Sequence, residues 1–212
     1  MNTSNPINLP PGLVERVKNI IMKPKEEWPA IEAEQTGIPG LYTRYVAILA
    51  AIPALATFLR AVLFGYGMFG FSYRPGFVAA LAMGISQYVM AFVSVAIVAF
   101  ITDFLVTKFD GTANRTAAFK LSAYSATAAW LAGIFNLIPG LGILGLLGLY
   151  SFYLFYTGLP VLMKVPQEKA LVCTIVVALA SIILSIVAGA VLRPVSAMFD
   201  GPVHHQGMPA TM

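Results

Sequence analysis

Residues 121–163 form a run of 43 residues without one charged side chain, centred on Ile138, Pro139, Gly140, Leu141 and Gly142. A helix rises about 1.5 Å per residue and a bilayer core is about 30 Å thick, so one span takes roughly 20 residues. The run therefore fits two spans joined by a very tight turn at Pro139, Gly140 and Gly142. No water-soluble packing accommodates such a stretch easily.

Composition points the same way. Hydrophobic residues are 58%, charged residues 10%, and the mean hydropathy is +0.81. A soluble domain carries about 25% charge. In lipid the backbone must satisfy its own hydrogen bonds, and the period-two alternation of a barrel is missing, so the apolar segments are expected to be helices. The expected class is an all-α integral membrane protein with five transmembrane helices, preceded by a short amphipathic interfacial helix. One cysteine, Cys173, allows no intramolecular disulfide. The N-terminus lacks the apolar core of a cleavable signal peptide.

Residues 1–12 read as a disordered tail and 13–41 as a cytoplasmic amphipathic segment. Leu13, Val17, Ile20 and Ile21 fall on one helical face, with Glu15, Arg16, Lys18 and Asn19 on the other. Pro24 should stop this helix. Trp28 beside Lys18, Lys23 and Lys25 suits the membrane–water interface, with the lysines against anionic lipid. A helix docked on a partner is the alternative. The spans are expected at about 42–64, 77–104, 117–138, 142–162 and 170–192, with a short external tail at 193–212.

Five spans put the termini on opposite faces. With the N-terminus inside, ten Lys and Arg residues share its side, from Arg16 to Lys169, against Arg60, Arg74 and Arg193 on the other. That bias places the N-terminus in the cytoplasm and the C-terminus outside. The pI of 9.2 follows from these basic loops rather than from nucleic-acid binding.

Ser125, Ala129 and Gly133, with Ser122 nearby, form a small-residue face on the third span, and Ser181, Ser185 and Gly189 form another on the fifth. Gly142, Gly145 and Gly148 recur every three residues on the fourth. Such faces let helices approach closely in lipid; a polar pathway is the other reading. Ionisable groups in the spans are few. Asp103 lies near an end, where Arg115 or Lys120 offers a partner. Gln87 and Asn136 suit interhelical hydrogen bonds. Pro53 and Pro160 predict kinks.

Enzyme chemistry lacks its ingredients. The two histidines, His204 and His205, sit in the terminal tail, too few ligands for a closed metal site. No hydrolase, phosphate-loop or dinucleotide motif occurs. No catalytic, cofactor or metal site is expected.

The wording of the central run carries a resemblance. Residues 119–125 (FKLSAYS), 130–142 (WLAGIFNLIPGLG) and 149–164 (LYSFYLFYTGLPVLMK), with 14–21 (VERVKNII) and 24–28 (PKEEW) upstream, resemble the Yip1 domain family in its short bacterial form. The resemblance covers roughly 13–192 and implies five helices with a cytoplasmic N-terminus. Eukaryotic members are linked to vesicle trafficking and to Rab-type GTPases. This chain lacks their long N-terminal cytoplasmic region and their Asp-Leu-Tyr-Gly-Pro-like motif before the first span, so the resemblance implies no GTPase-binding residues here.

The expected function is a non-enzymatic scaffold or adaptor in a bacterial inner membrane, without cofactor. Its expected partners are the bilayer, anionic lipid at the N-terminal segment, a membrane or cytoplasmic protein, and another copy of itself, with no nucleic acid. The alternative is a small-solute or ion transporter or channel with Asp103, Lys120, Gln87 and Asn136 near its path.

Overall fold

The structure, a computed structural model, describes residues 12–68 and 71–199, with side chains described for all of these except 68, 71, 72, 185 and 187–199. Residues 1–11 and 200–212, which hold most of both expected tails and the two histidines, lie outside the described residues.

Helix α1 (Leu13–Met22) ends where Pro24 lacks the amide proton to continue it. The Lys23 N–H still reaches the Asn19 carbonyl at 2.7 Å, and Pro24 opens α2 (Pro24–Ala33), the helix position that tolerates it best. The first long helix runs Ile38–Leu63: α3 (Ile38–Leu41), a π turn (Tyr42–Val46) and α4 (Ala47–Leu63). A small antiparallel hairpin follows, β1 (Tyr66–Met68) paired with β2 (Phe71–Tyr73), in register Tyr66 to Tyr73. Helix α5 (Phe77–Leu105) continues into a 3-10 turn (Val106–Phe109).

The next stretch is helical but broken: α6 (Arg115–Ser125), α7 (Thr127–Ala132) and a 3-10 turn (Gly133–Leu137). Asn114 caps its start by accepting the Ala117 N–H at 3.1 Å. The break falls where the Thr127 hydroxyl donates to the Tyr124 carbonyl at 2.7 Å, a local bond that competes with the helix ladder. Every residue from Ala118 to Ser125 is buried, so α6 is the enclosed centre of the bundle. A 3-10 stretch (Leu141–Leu149), then α8 (Tyr150–Leu162), then α9 (Gln167–Phe199) complete the described chain.

Four described helices are long and apolar enough to cross a membrane: Ile38–Leu63, Phe77–Phe109, Leu141–Leu162 and Gln167–Leu184. Val78, Leu81, Ile85 and Val89 of α5, and Leu171, Ile175, Leu179 and Ile183 of α9, are exposed. Apolar faces of that size fit a lipid solvent.

The turn after α7 is specified by its residues. The Leu141 N–H donates to the Ile138 carbonyl at 3.1 Å across Pro139 and Gly140, and Gly140 has φ +89° and ψ −28°. This is a type II turn, with Pro second and glycine in the left-handed third place. Gly140→Ala should lower stability by about 1 kcal/mol, because a side chain is penalised in that region. A thermal melt in detergent checks this; an unchanged midpoint would contradict the turn assignment. A long 3-10 stretch (Leu141–Leu149) follows, with glycine at every third place. Three residues per turn put Gly142, Gly145 and Gly148 along one edge. A Cβ on Gly148 would lie 3.2 Å from the Ala129 backbone of α7.

The bundle has two unlike ends. At one, α2 meets the loop 163–166, which in turn meets the loop 110–114: the Thr112 N–H donates to the Met163 carbonyl at 2.8 Å, Lys169 pairs with Asp110, and Lys164 pairs with Glu32. At the other, Arg60 donates to the Asn136 carbonyl at 3.1 Å, and Arg74 to the Val62 and Leu63 carbonyls at 3.0 and 2.6 Å. The last two bonds cap the free carbonyls that end α4.

Candidate functional site

The charged end is where the N-terminal segment meets the bundle. Trp28 is fully buried, and its Nε1–H donates to the Thr157 hydroxyl of α8 at 3.1 Å. Next to Thr157, a Cβ on Gly158 would lie 2.6 Å from Trp28 Cε2 and 2.7 Å from Leu121 Cδ1. Only glycine leaves room for the indole. Ile20 and Ile31 are fully buried beside it, and the Tyr150 hydroxyl donates to the Ile21 carbonyl at 3.0 Å. Trp28 is thus held inside the bundle. Its indole proton goes to α8, and its apolar body packs at Gly158 of α8 and Leu121 of α6.

Two cations and two carboxylates lock this docking. Arg16, 3% exposed, pairs with both Glu27 and Glu34 and lies over the Tyr124 ring at 5.6 Å. Lys120, 4% exposed, donates from Nζ to the Ile31 carbonyl at 2.8 Å and the Glu34 carbonyl at 2.6 Å. Those carbonyls close α2, where unsatisfied acceptors and the negative end of the helix dipole favour a cation. The cluster is neutral as a whole. Tyr45 extends it, its hydroxyl 2.6 Å from Thr127 Oγ1 and its ring 4.5 Å from that of Tyr124. A neutral, internally satisfied cluster holds two elements together; it offers no free base or nucleophile.

The other anticipated residues are scattered. Asp103 pairs with Arg115 at 3.9 Å, while Lys120, its alternative partner, goes to α2. Arg115 also lies over the Phe100 ring at 5.3 Å. Gln87 is exposed on α5, and Asn136 is exposed near the hairpin end, beside the turn of Pro139, Gly140 and Gly142. Asp103 and Lys120 lie toward the charged end, so the four do not share one site. Lys18, Lys23 and Lys25 point outward. Among the described residues no group of His, Cys, Asp and Glu is placed to hold a metal.

Arg16, Glu27 and Glu34 were not anticipated as a cluster. Arg16 falls on the polar side of α1, where sequence spacing reads it as solvated. The one available signal is Lys120, a cation beside a long uncharged run that needs an acceptor from elsewhere.

A cleft lies between α5, α6–α7, α8 and α9, with a volume of about 500 Å³. Ser122, Ser125 and Ala129 line one side and Ser181 the other. Small residues expected to close two helix surfaces here face an open space. Elsewhere they do pack: Cβ atoms on Gly84 and Gly133 would meet Phe58 Cβ at 3.0 Å and Pro53 Cβ at 2.6 Å.

The sequence model of the Yip1 domain matches residues 18–189. No curated protein and no solved structure matches the chain.

Proposed function

The chain belongs to the Yip1 domain family, and from that premise we propose a non-enzymatic integral membrane scaffold or adaptor that recruits a protein partner to its charged end. It crosses a bacterial inner membrane five times, the broken 115–137 stretch being the third crossing, with the N-terminus cytoplasmic and the C-terminus external. The grouping of loops 110–114 and 163–166 with α2, and of Arg60 and Arg74 at the opposite end, supports that arrangement.

The observation that carries this reading is the buried docking of α2 by Trp28, Arg16 and Lys120. It fixes Lys18, Lys23 and Lys25 on a rigid exposed surface. A transporter reading gains nothing from the scattered positions of Gln87, Asn136, Asp103 and Lys120. Affinity capture from native membranes should recover a partner with the intact chain and lose it when Lys18, Lys23 and Lys25 become glutamate. Equal recovery from both, or solute flux through the reconstituted protein, would refute the adaptor reading.

The same surface is expected to hold anionic lipid. Each Lys near such a surface contributes about 1 kcal/mol, so the triple change to glutamine should weaken capture of phosphatidylglycerol vesicles by nanodisc-embedded protein by about two orders of magnitude. Unchanged capture would remove the lipid contact.

A further inference from the structure

We propose that two copies of this chain pair through an exposed face of α5, the Gln87 amides of the two copies hydrogen-bonding to each other. Gln87 is exposed, and no described residue bonds its amide. Other polar side chains of α5 do find acceptors: Tyr88 donates to the Ala47 carbonyl at 2.9 Å, Ser94 to Ala91 at 3.0 Å and Thr102 to Val98 at 2.7 Å. A hydroxyl can return to a carbonyl of its own helix. The Gln87 amide makes no such bond.

Depth makes that unfavourable. No charged residue lies between Arg74 and Asp103. From Phe77 to Thr102 the helix is roughly 38 Å long, so a hydrocarbon core of about 30 Å placed anywhere along it contains Gln87. Water does not reach an amide there, and an unpaired polar group in an apolar medium is disfavoured. Glutamine in a membrane helix is satisfied by hydrogen bonds to another helix.

The chemistry of the amide selects the occupant. It carries two N–H donors and a carbonyl acceptor. An acyl chain supplies neither kind of partner. A carboxylate or a guanidinium matches one half only. A second Gln87 matches both halves, each amide donating an N–H to the carbonyl oxygen of the other. Two copies in one membrane share an orientation, so a two-fold axis along the membrane normal sets Gln87 against Gln87 at equal depth. A different protein would have to bring its own amide to that depth. The surroundings suit close contact. Met83 and Met90 lie about one turn to either side of Gln87 on the same face, and Ser86 beside it is exposed. Small side chains let helix backbones approach, and methionines adapt to a facing surface.

The test uses the full chain, carrying donor or acceptor dyes and diluted stepwise in phosphatidylethanolamine–phosphatidylglycerol vesicles. Energy transfer should report dimers. Gln87→Leu, which removes the amide at similar volume, should raise the protein density needed for half-dimerisation roughly tenfold. Gln87→Asn keeps an amide and should recover part of that loss. Single cysteines map the face. Met83→Cys and Met90→Cys should form disulfide dimers on mild oxidation several-fold more than Val89→Cys or Ile175→Cys, both exposed on other faces. Cys173 is buried and stays out of the reaction. Absence of transfer between unaltered chains at every density would overturn the proposal, as would Gln87→Leu pairing as tightly as the unaltered chain. Dimers that cross-link equally at Val89→Cys or Ile175→Cys would overturn the α5 face. Cross-linking of Met83→Cys to a different protein in native membranes, with no self-pairing, would overturn the second copy as occupant.

Discussion

Arg16→Met should release the N-terminal segment from the bundle. The guanidinium is buried between Glu27 and Glu34, and removing it leaves two buried carboxylates against the single charge of Lys120. Breaking a buried pair from one side costs about 3–5 kcal/mol, because the remaining charge stays desolvated. Amide hydrogen exchange across α1 and α2, measured on the full chain in nanodiscs, should accelerate by roughly two to three and a half orders of magnitude, at about 1.4 kcal/mol per decade. The double variant Arg16→Met with Glu27→Gln restores charge balance between Glu34 and Lys120 and should recover much of the protection. If Arg16→Met leaves exchange unchanged, the ion cluster does not hold the segment. If the double variant exchanges as fast as the single one, packing rather than charge balance sets the loss.

Trp28→Ala attacks the same joint from its apolar side. Emptying a fully buried indole typically costs about 3–5 kcal/mol through lost contact and the cavity that remains. Here it also strips Thr157 Oγ1 of the indole proton. The void would open beside Gly158, which has no side chain to fill it. Increased protease cutting between α2 and α3, with α5 still protected, is the expected readout. Trp28→Phe fills most of the space without the hydrogen bond and should fall between the two. Resistance to cutting equal to that of the unaltered protein would show that Trp28 does not anchor α2.

The comparison between chain and fold turns on range of interaction. Hydropathy marked the long helices because lipid acts on each residue singly, and the Pro139–Gly140 turn was visible because its signal is local. The docking of Trp28 was not visible, since Thr157 and Gly158 lie far along the chain and a tryptophan beside lysines fits an interface equally well. The break at Ala126 was hidden for a related reason. The uncharged run is apolar enough for a continuous helix, and only the Thr127 to Tyr124 bond shows where it divides. The hairpin at Tyr66–Tyr73 follows from a short connection held by Arg74, without an apolar pattern of its own. The cleft has no signal of its own in the sequence, because small residues mark close approach and whether two such faces meet is decided by tertiary packing.

The buried contacts also impose an order of birth. The carbonyls that receive Lys120 come from residues 89 and 86 positions earlier, so they have already left the ribosome when that lysine appears. Trp28 must wait for a hydroxyl 129 positions later. The joint of the N-terminal segment is therefore complete only once α8 has been made: the acceptors for the lysine are in place early, and the socket for the tryptophan comes last. A truncation that stops before Thr157 would leave Lys120 accommodated and the tryptophan without its socket.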